Sequence, residues 1–505
     1  MTKVRWKNEY LLVLDKIKEC SKNKNTYIYG ALALVLLYAF LVRFYRISFG
    51  LPYLHSWDEP LIASNALKIL KTGDFNPHFF NYPAFPIYSC FLIDVIHYFY
   101  LIGQKVSSFD YLRSVNDIII SVDTGWIWTI SHPSFYFWNR AFIAILGTLS
   151  VVWTYVISTK VFGKLEGLLS ALFISGFSYH VFISSQITVD IPGMFFGLLV
   201  VMFALKFNSS LKIEDLVYSL IFVGLAASCK YNLMISIIAP LSAYFFNIRK
   251  IKSKKSLIFF MIFFLPFIVF FIVNPYALLD FKNFISDVGY ELYHYKIKGH
   301  LANTAVPGTQ HFLLQMGRIK NNIGSILFFL AIIGLGIGMR KPKKLFLLSV
   351  FPIIYTYFMV HQKASFHRNY ILLYSFFSIF AAVSIVFIAK IFSQLGLILQ
   401  KKYSLRKKYL TNFLFFTPII IVVLLLSNNY FSLYNNSSFI KNSSETRSRA
   451  IDYINRLIYK EKDKNLLIGI ASELRIHRLD LERLRAEYEE FDQMNIEDAL
   501  NKYDF

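Results

Sequence analysis

The sequence predicts an all-α polytopic membrane protein with about eleven transmembrane helices, and three observations carry that prediction. Of 505 residues 56% are hydrophobic, and the mean hydropathy is +0.47, more apolar than a water-exposed surface accommodates. The apolar residues are gathered into segments close to the roughly 20 residues that cross a bilayer. Lys and Arg fall in short runs between these segments, where they set membrane orientation. The formal charge of +22 therefore does not point to nucleic acid, and we read no nucleic-acid partner.

Lys3, Arg5, Lys7, Lys16, Lys18, Lys22 and Lys24 precede the first apolar span, residues 27–44, which places the N-terminus in the cytoplasm. The first 26 residues are polar and basic, and the segment after them is long enough to span, so it reads as a retained anchor and not a cleaved leader. Basic runs at Arg249–Lys255, Arg340–Lys344 and Lys401–Lys408 mark further cytoplasmic points. Between and before them we read spans near 140–159, 165–186, 191–206, 213–229, 231–247, 257–274, 323–339, 345–360, 370–392 and 411–427. Counting Phe85–Gly103 as a span would reverse every later orientation against the basic runs, so it reads as a membrane-dipping helix. Cys20, Cys90 and Cys229 have no metal-ligand spacing and imply no disulfide framework.

Two outer loops follow from this parity: a long first one over about residues 46–139 and a large one over about 275–322. Connections of that length usually carry function. The first contains His55-Ser56-Trp57-Asp58-Glu59-Pro60. Asp58 or Glu59 can cap a helix that starts at Pro60 and ends near Gly73. Leu61, Ile62, Ala66, Leu67, Ile69 and Leu70 give it an apolar face, and Ser64, Asn65, Lys68 and Lys71 a polar one, the pattern of an interfacial helix. Residues 1–427 form the membrane domain. Beyond it, an Asn/Ser-rich linker (428–444), a helix through Ala450–Ile458, a strand at Leu466–Ala471 and a charged helix at Glu473–Phe491 predict a small extracytoplasmic α/β appendage.

Capping accounts for one carboxylate at Asp58-Glu59, but not for two beside His55 and Trp57 at the mouth of a membrane protein. We therefore take Asp58 and Glu59 as candidate catalytic residues. Asp190, Arg140 and Lys230 fall at outer ends of spans, where the alternatives are helix capping for the first and snorkelling for the two cations. Several cations on one face can also stabilise charge on a leaving phosphate. His294, His300, His311 and Arg318 in the large outer loop, with His367 and Arg368 in the next, form a loose cluster. No pair there has close zinc-ligand spacing, so a metal is unassigned and a divalent cation stays open as a cofactor. Gly334, Gly336 and Gly338 lie inside an apolar span and predict close helix packing and not a nucleotide loop.

The run HSWDEPLIASNALKILKTGDFNPHFFNYPAFPIY resembles the first outer loop of the GT-C glycosyltransferases that use lipid-phosphate sugars. These include the dolichyl-phosphate-mannose protein mannosyltransferases and the lipid A aminoarabinose transferases. The shared features are Asp58-Glu59, Gly73-Asp74 and Asn81-Tyr82-Pro83, followed by Asn139-Arg140-Ala141, Asp190-Ile191-Pro192, Lys230-Tyr231-Asn232 and Gly299-His300. Glu445-Thr446-Arg447 is similar to the family's post-membrane start. The resemblance implies inverting transfer from a polyprenyl-phosphate sugar to a lipid, glycan or protein acceptor at the outer face of a prokaryotic inner membrane. By the chemistry of such a transfer Asp58 is the candidate base and Glu59 would position Asp58, the acceptor or a divalent ion, and we take His55, Arg140, Asp190, Lys230, His300, Arg318 and Arg368 as substrate-binding candidates. A lipid transporter or flippase, or a non-catalytic glycolipid-binding subunit, are the alternatives; a transporter should place its ionisable groups near mid-bilayer, whereas here most lie at outer ends.

Overall fold

The computed structural model describes residues 26–54, 56, 58–103, 118–119, 128–130, 133–251, 255–402, 408–442, 446–460, 467–471, 484–491 and 502. Helix α1 (Thr26–Phe44) leads to a short strand β1 (Tyr53–Leu54), α2 (Asp58–Thr72) and α3 (Phe85–Gly103). Strands β2 (Ile118–Ile119) and β3 (Trp128–Ile130) close the first loop onto its own start in the antiparallel order β1-β3-β2. There follow α4 (Pro133–Val161), α5 (Lys164–Ser175), α6 (Ser178–Ile183), α7 (Asp190–Ser210) and α8 (Ile213–Cys229). A 3-10 turn (Tyr231–Ile237) then opens α9 (Ile238–Asn247), and α10 (Lys255–Val273) follows. The second half comprises α11 (Phe281–Tyr293), α12 (Thr309–Ile323), α13 (Ser325–Gly338), α14 (Pro342–Val360), α15 (Leu373–Lys402), α16 (Lys408–Asn442) and α17 (Thr446–Lys460).

Six of these helices are long and apolar enough to cross a membrane, and α12 with α13, bent by 116° at Gly324, brings the number to seven if the pair is one span. The protein is an integral membrane protein. Helix α7 sits at the centre, apolar all round and 78% buried, whereas α10 is 22% buried. It turns Phe260, Phe264, Phe267, Ile268 and Ile272 outward, a patch that suits lipid and not water. Helix α3 likewise exposes Leu92, Ile96, Phe99 and Tyr100 while burying Ile87, Cys90 and Tyr98 against its neighbours. Of the three span glycines, Gly334 explains a contact: a Cβ there would lie 1.8 Å from the Phe380 carbonyl oxygen on α15. A Cβ on Gly336 meets nothing.

Three expectations are corrected. The span read at 165–186 is broken between α5 and α6 at Gly176-Phe177. The Asn/Ser-rich linker is helical through Asn442, because extending a helix already nucleated in an apolar span costs only a few tenths of a kcal/mol per Asn or Ser. The charged helix expected to run to Phe491 instead ends in a strand β5 (Glu487–Phe491), parallel to β4 (Leu467–Ala471). Its residues 472–483 lie outside the described residues. Pairing with the apolar β4 overrides the helix propensity of Glu-rich sequence.

Candidate active site

The long loop after α1 is laid against the one after α10 by side-chain to backbone and side-chain to side-chain bonds. Asn76 Nδ2 donates to Asp280 (2.8 Å), the Phe80 N–H to Asp287 (2.8 Å) and Asn81 Nδ2 to Glu291 (3.0 Å). Below them the Ala84 N–H donates to Asn274 Oδ1 (2.6 Å) and the Tyr231 hydroxyl to the Phe80 carbonyl (2.8 Å). The loop at 361–370 is fixed in turn: Lys363 and Ala364 N–H groups donate to the Tyr295 carbonyl, and the Ser365 N–H to the Asn303 carbonyl. These ties bring side chains from four distant stretches of sequence to one point.

At that point stand two carboxylates and two cations. Asp58 Oδ1 accepts from the Tyr82 hydroxyl (3.0 Å), and Asp58 Oδ2 pairs with Arg368 Nη1. Arg368 Nε lies 3.6 Å from Asp190 Oδ2, while Asp190 Oδ1 takes Lys230 Nζ at 2.5 Å. Lys230 also donates to Asn369 Oδ1, and Thr188 Oγ1 donates to Asp190 Oδ2 (3.0 Å) while accepting the Asp190 N–H (3.1 Å). Among the described residues the bonds of the two carboxylates go to Tyr82, Arg368, Lys230 and Thr188. Burial works against the Arg368 charge, but Asp58, Tyr82 and Asp190 outweigh it and hold the guanidinium above its ordinary range. Burial, with the Asp58 charge added, pushes the Tyr82 hydroxyl well up, so it stays a donor.

Beside this cluster lies a cavity of about 370 Å³, lined among others by Asn81, Tyr82, Lys230, Glu291, Tyr295 and Gln362. Burial, and after it the Asp58 charge, raises the Glu291 carboxyl even though Asn81 donates to it. On the other side of α14 a second cavity of about 590 Å³ is almost wholly apolar, with Phe312, Ile332, Ile353, Tyr357, Phe376 and Phe380 in its walls.

The expected site residues divide. Asp58, Asp190, Lys230 and Arg368 meet as above. Glu59 and Arg140 do not join them: Glu59 is 0% exposed, and its two oxygens take Arg140 Nε and Nη2, each at 2.7 Å. Arg140 Nη1 donates to the Ile47 and Phe49 carbonyls, and Glu59 Oε1 accepts the Ile187 N–H (2.9 Å). Four of the five Arg140 donors are thus used on Glu59 and these two carbonyls. Arg318 is likewise used on the Ser365 carbonyl (3.0 Å), where it holds the loop that carries Arg368. His300 sits at the rim, its ring 4.9 Å from Phe366, over which Arg368 also lies at 4.6 Å, with His294 Nε2 3.1 Å from its Nδ1. His55 lies outside the described residues.

The histidine cluster also divides. His311 and His367 are part of a network inside the fold: His367 Nδ1 meets Gln315 Oε1 and Nε2 meets the Tyr374 hydroxyl, both at 2.8 Å, and Gln315 Nε2 reaches the Ser365 carbonyl at 2.9 Å. Burial, then the nearby Arg318 charge, lowers the His367 imidazole to about 4. Among the described residues no three His, Cys, Asp or Glu side chains are grouped to hold a metal ion. Sequence reasoning missed the roles of Tyr82, Thr188, Asn369 and Glu291. Tyr82 stood within the Asn81-Tyr82-Pro83 motif, while Asn369 next to Arg368 carried no signal of its own.

Residues 135–273 match the model of the dolichyl-phosphate-mannose-protein mannosyltransferase family. No curated protein matches the chain by sequence. Among solved structures, the archaeal oligosaccharyltransferase AglB from Archaeoglobus fulgidus, in complex with an inhibitory peptide and a dolichol-phosphate, is similar at TM-score 0.53 and 12% identity. The match covers 88% of this chain and 62% of AglB, so the chain spans less than two thirds of that relative. ArnT from Cupriavidus metallidurans bound to undecaprenyl phosphate is similar at TM-score 0.51 and 12% identity, over 93% of this chain and 86% of ArnT. In fold and in its matched segment, the chain resembles the GT-C superfamily membrane glycosyltransferases of the protein mannosyltransferase and ArnT type.

Proposed function

We propose that the protein transfers a sugar from a polyprenyl-phosphate carrier to a lipid, glycan or protein acceptor on the extracytoplasmic face, with inversion at the anomeric carbon. The observation that carries this reading is the position of Asp58, at the head of an amphipathic helix and beside a cavity with Lys230, Asp190 and Arg368 around it. The acceptor hydroxyl attacks the anomeric carbon as the bond from that carbon to the phosphate oxygen breaks. Its proton passes to Asp58 as the sugar becomes oxocarbenium-like. Phosphate is a good leaving group, so a single base suffices where glycoside hydrolysis uses two carboxylates. Lys230 and Arg368 stabilise the charge that develops on the phosphate. The 370 Å³ cavity suits the sugar-phosphate, and the apolar cavity beyond α14 suits an isoprenoid chain.

In this reading the chain crosses a prokaryotic inner membrane eleven times, with the N-terminus cytoplasmic and the appendage outside. Six described helices, or seven with the bent pair, are long and apolar enough to cross, and the remaining crossings of this reading rest on the basic runs between apolar segments. The test is transfer of labelled sugar from undecaprenyl-phosphate donors to extracted membrane acceptors. Wild type should transfer and Asp58→Asn should lose about 10²–10⁴-fold, the usual range for a positioned proton acceptor. Equal rates would remove Asp58 as the base.

A further inference from the structure

Two anions, Asp58 and Asp190, and two cations, Arg368 and Lys230, balance within the site. A sugar linked to a lipid through a phosphodiester brings one more negative charge, and Lys230 and Arg368 each already face a carboxylate. A buried anion without a partner is unfavourable, so a cation drawn from an existing pair stabilises the donor's phosphate.

The two pairs are not equally held. Lys230 and Asp190 are 11% and 2% exposed, Lys230 is also tied to Asn369, and Asp190 to Thr188. Arg368 and Asp58 are 24% and 16% exposed. Arg368 Nη1 is the atom on Asp58, whereas its Nε faces Asp190, so the guanidinium can turn its Nη edge away while Asp190 still faces it. Asp58 keeps the Tyr82 hydroxyl on its other oxygen. We propose that Arg368, paired with Asp58, masks the base, and that the phosphate of the lipid-linked donor draws Arg368 off Asp58, so that donor binding releases the base. This rests on the transfer reading given above and adds an order to it: donor first, then proton acceptance.

The chemistry gains twice from such an exchange. The guanidinium occupies Asp58 Oδ2, and moving it to the phosphate frees that oxygen to accept the hydroxyl proton. The same movement places the cation where the leaving group's charge develops. Until a phosphate arrives, an acceptor hydroxyl meets a carboxylate with one oxygen on Arg368 and the other on Tyr82.

The test is carbodiimide labelling of Asp58 in the purified full-length protein, quantified by mass spectrometry of its peptide. It is run without lipid, with undecaprenyl phosphate and with undecaprenol, which has the same chain and no phosphate. Binding of each lipid is followed in parallel by native mass spectrometry. The expected result is a several-fold rise in Asp58 labelling with undecaprenyl phosphate and none with undecaprenol, while the buried Glu59 stays unlabelled throughout. Arg368→Gln should label Asp58 without lipid as strongly as wild type does with the phosphate lipid. Bound undecaprenyl phosphate with unchanged labelling, or equal changes with both lipids, overturns the masking role while leaving the transfer reading intact. Failure of undecaprenyl phosphate to bind at all overturns the transfer reading, and the masking role with it.

Discussion

Asp58 and Glu59 are neighbours in sequence and opposites in the structure. Asp58 is bonded to Tyr82, which borders a cavity, and to Arg368, and keeps some exposure. Glu59 is sealed between α2, α4 and the segment before α7, with a bidentate arginine and a backbone N–H as partners. The first arrangement can exchange partners and the second cannot do so without unpacking three elements. Adjacent carboxylates at a membrane surface therefore need not form one catalytic pair. Here the second one fixes the helix that presents the first.

This contrast can be broken by substitution. The largest expected effect is on stability at the latch: Glu59→Ala or Arg140→Ala leaves a buried charge alone and should cost about 3–5 kcal/mol. A paired apolar replacement, Glu59→Leu with Arg140→Met, should recover most of that loss and much of the transfer activity, as read by denaturation in detergent and by the sugar-transfer assay. At the cluster the same design should fail in a telling way. Lys230→Met should cut transfer by about 10²–10³-fold, the scale of losing one charge-stabilising donor. Adding Asp190→Asn should restore stability and not activity. Recovery of transfer by that double variant would make the cluster a second latch.

The membrane-spanning helices were legible because apolar segment length and basic runs report directly on the bilayer. Asp58, Asp190, Lys230 and Arg368 were legible as charges at the ends of apolar segments. What could not be read was which partner each would choose. Arg140 lies 81 residues from Glu59, and nothing local in its sequence separates a guanidinium aimed at a carboxylate from one aimed at a phosphate. The same limit hid the helix break at Gly176, where hydropathy continues across the kink. It also hid β5, whose glutamates favour a helix until β4 supplies an edge.

The His367 network offers a smaller effect with a defined pH window. Its folded-state value is depressed to about 4 by burial, and after that by Arg318, against an unfolded value near 6.5. The neutral ring's bonds to Gln315 and Tyr374 are therefore worth most above pH about 6.5. Their contribution is lost as pH falls toward 4, because the unfolded chain takes up a proton that the folded one refuses. One proton gives a slope of at most about 1.4 kcal/mol per pH unit. His367→Gln should remove that part of the slope between pH 6.5 and 4 in denaturation curves. Because the folded ring stays neutral until about pH 4, transfer should not fall through His367 until the pH nears 4. A variant with an unchanged slope would assign the acid sensitivity to other groups.

The smallest effect tests how far the cluster's order depends on its outer bonds. Thr188 Oγ1 both gives a hydrogen bond to Asp190 Oδ2 and takes one from the Asp190 N–H, so it sets the rotamer of a carboxylate that already has Lys230. Thr188→Val keeps the shape and removes both bonds, and should cost about 1–2 kcal/mol, near the range for bonds to a charged group. Transfer should drop less than tenfold, since Lys230 and Arg368 still orient Asp190, and Thr188→Ser should restore both quantities. The informative comparison is with Asp58→Asn. If Thr188→Val abolished transfer as fully while the protein kept its stability, the hydroxyl would have to contact substrate, and the boundary drawn between groups that meet the donor and groups that hold them in place would move outward by one residue.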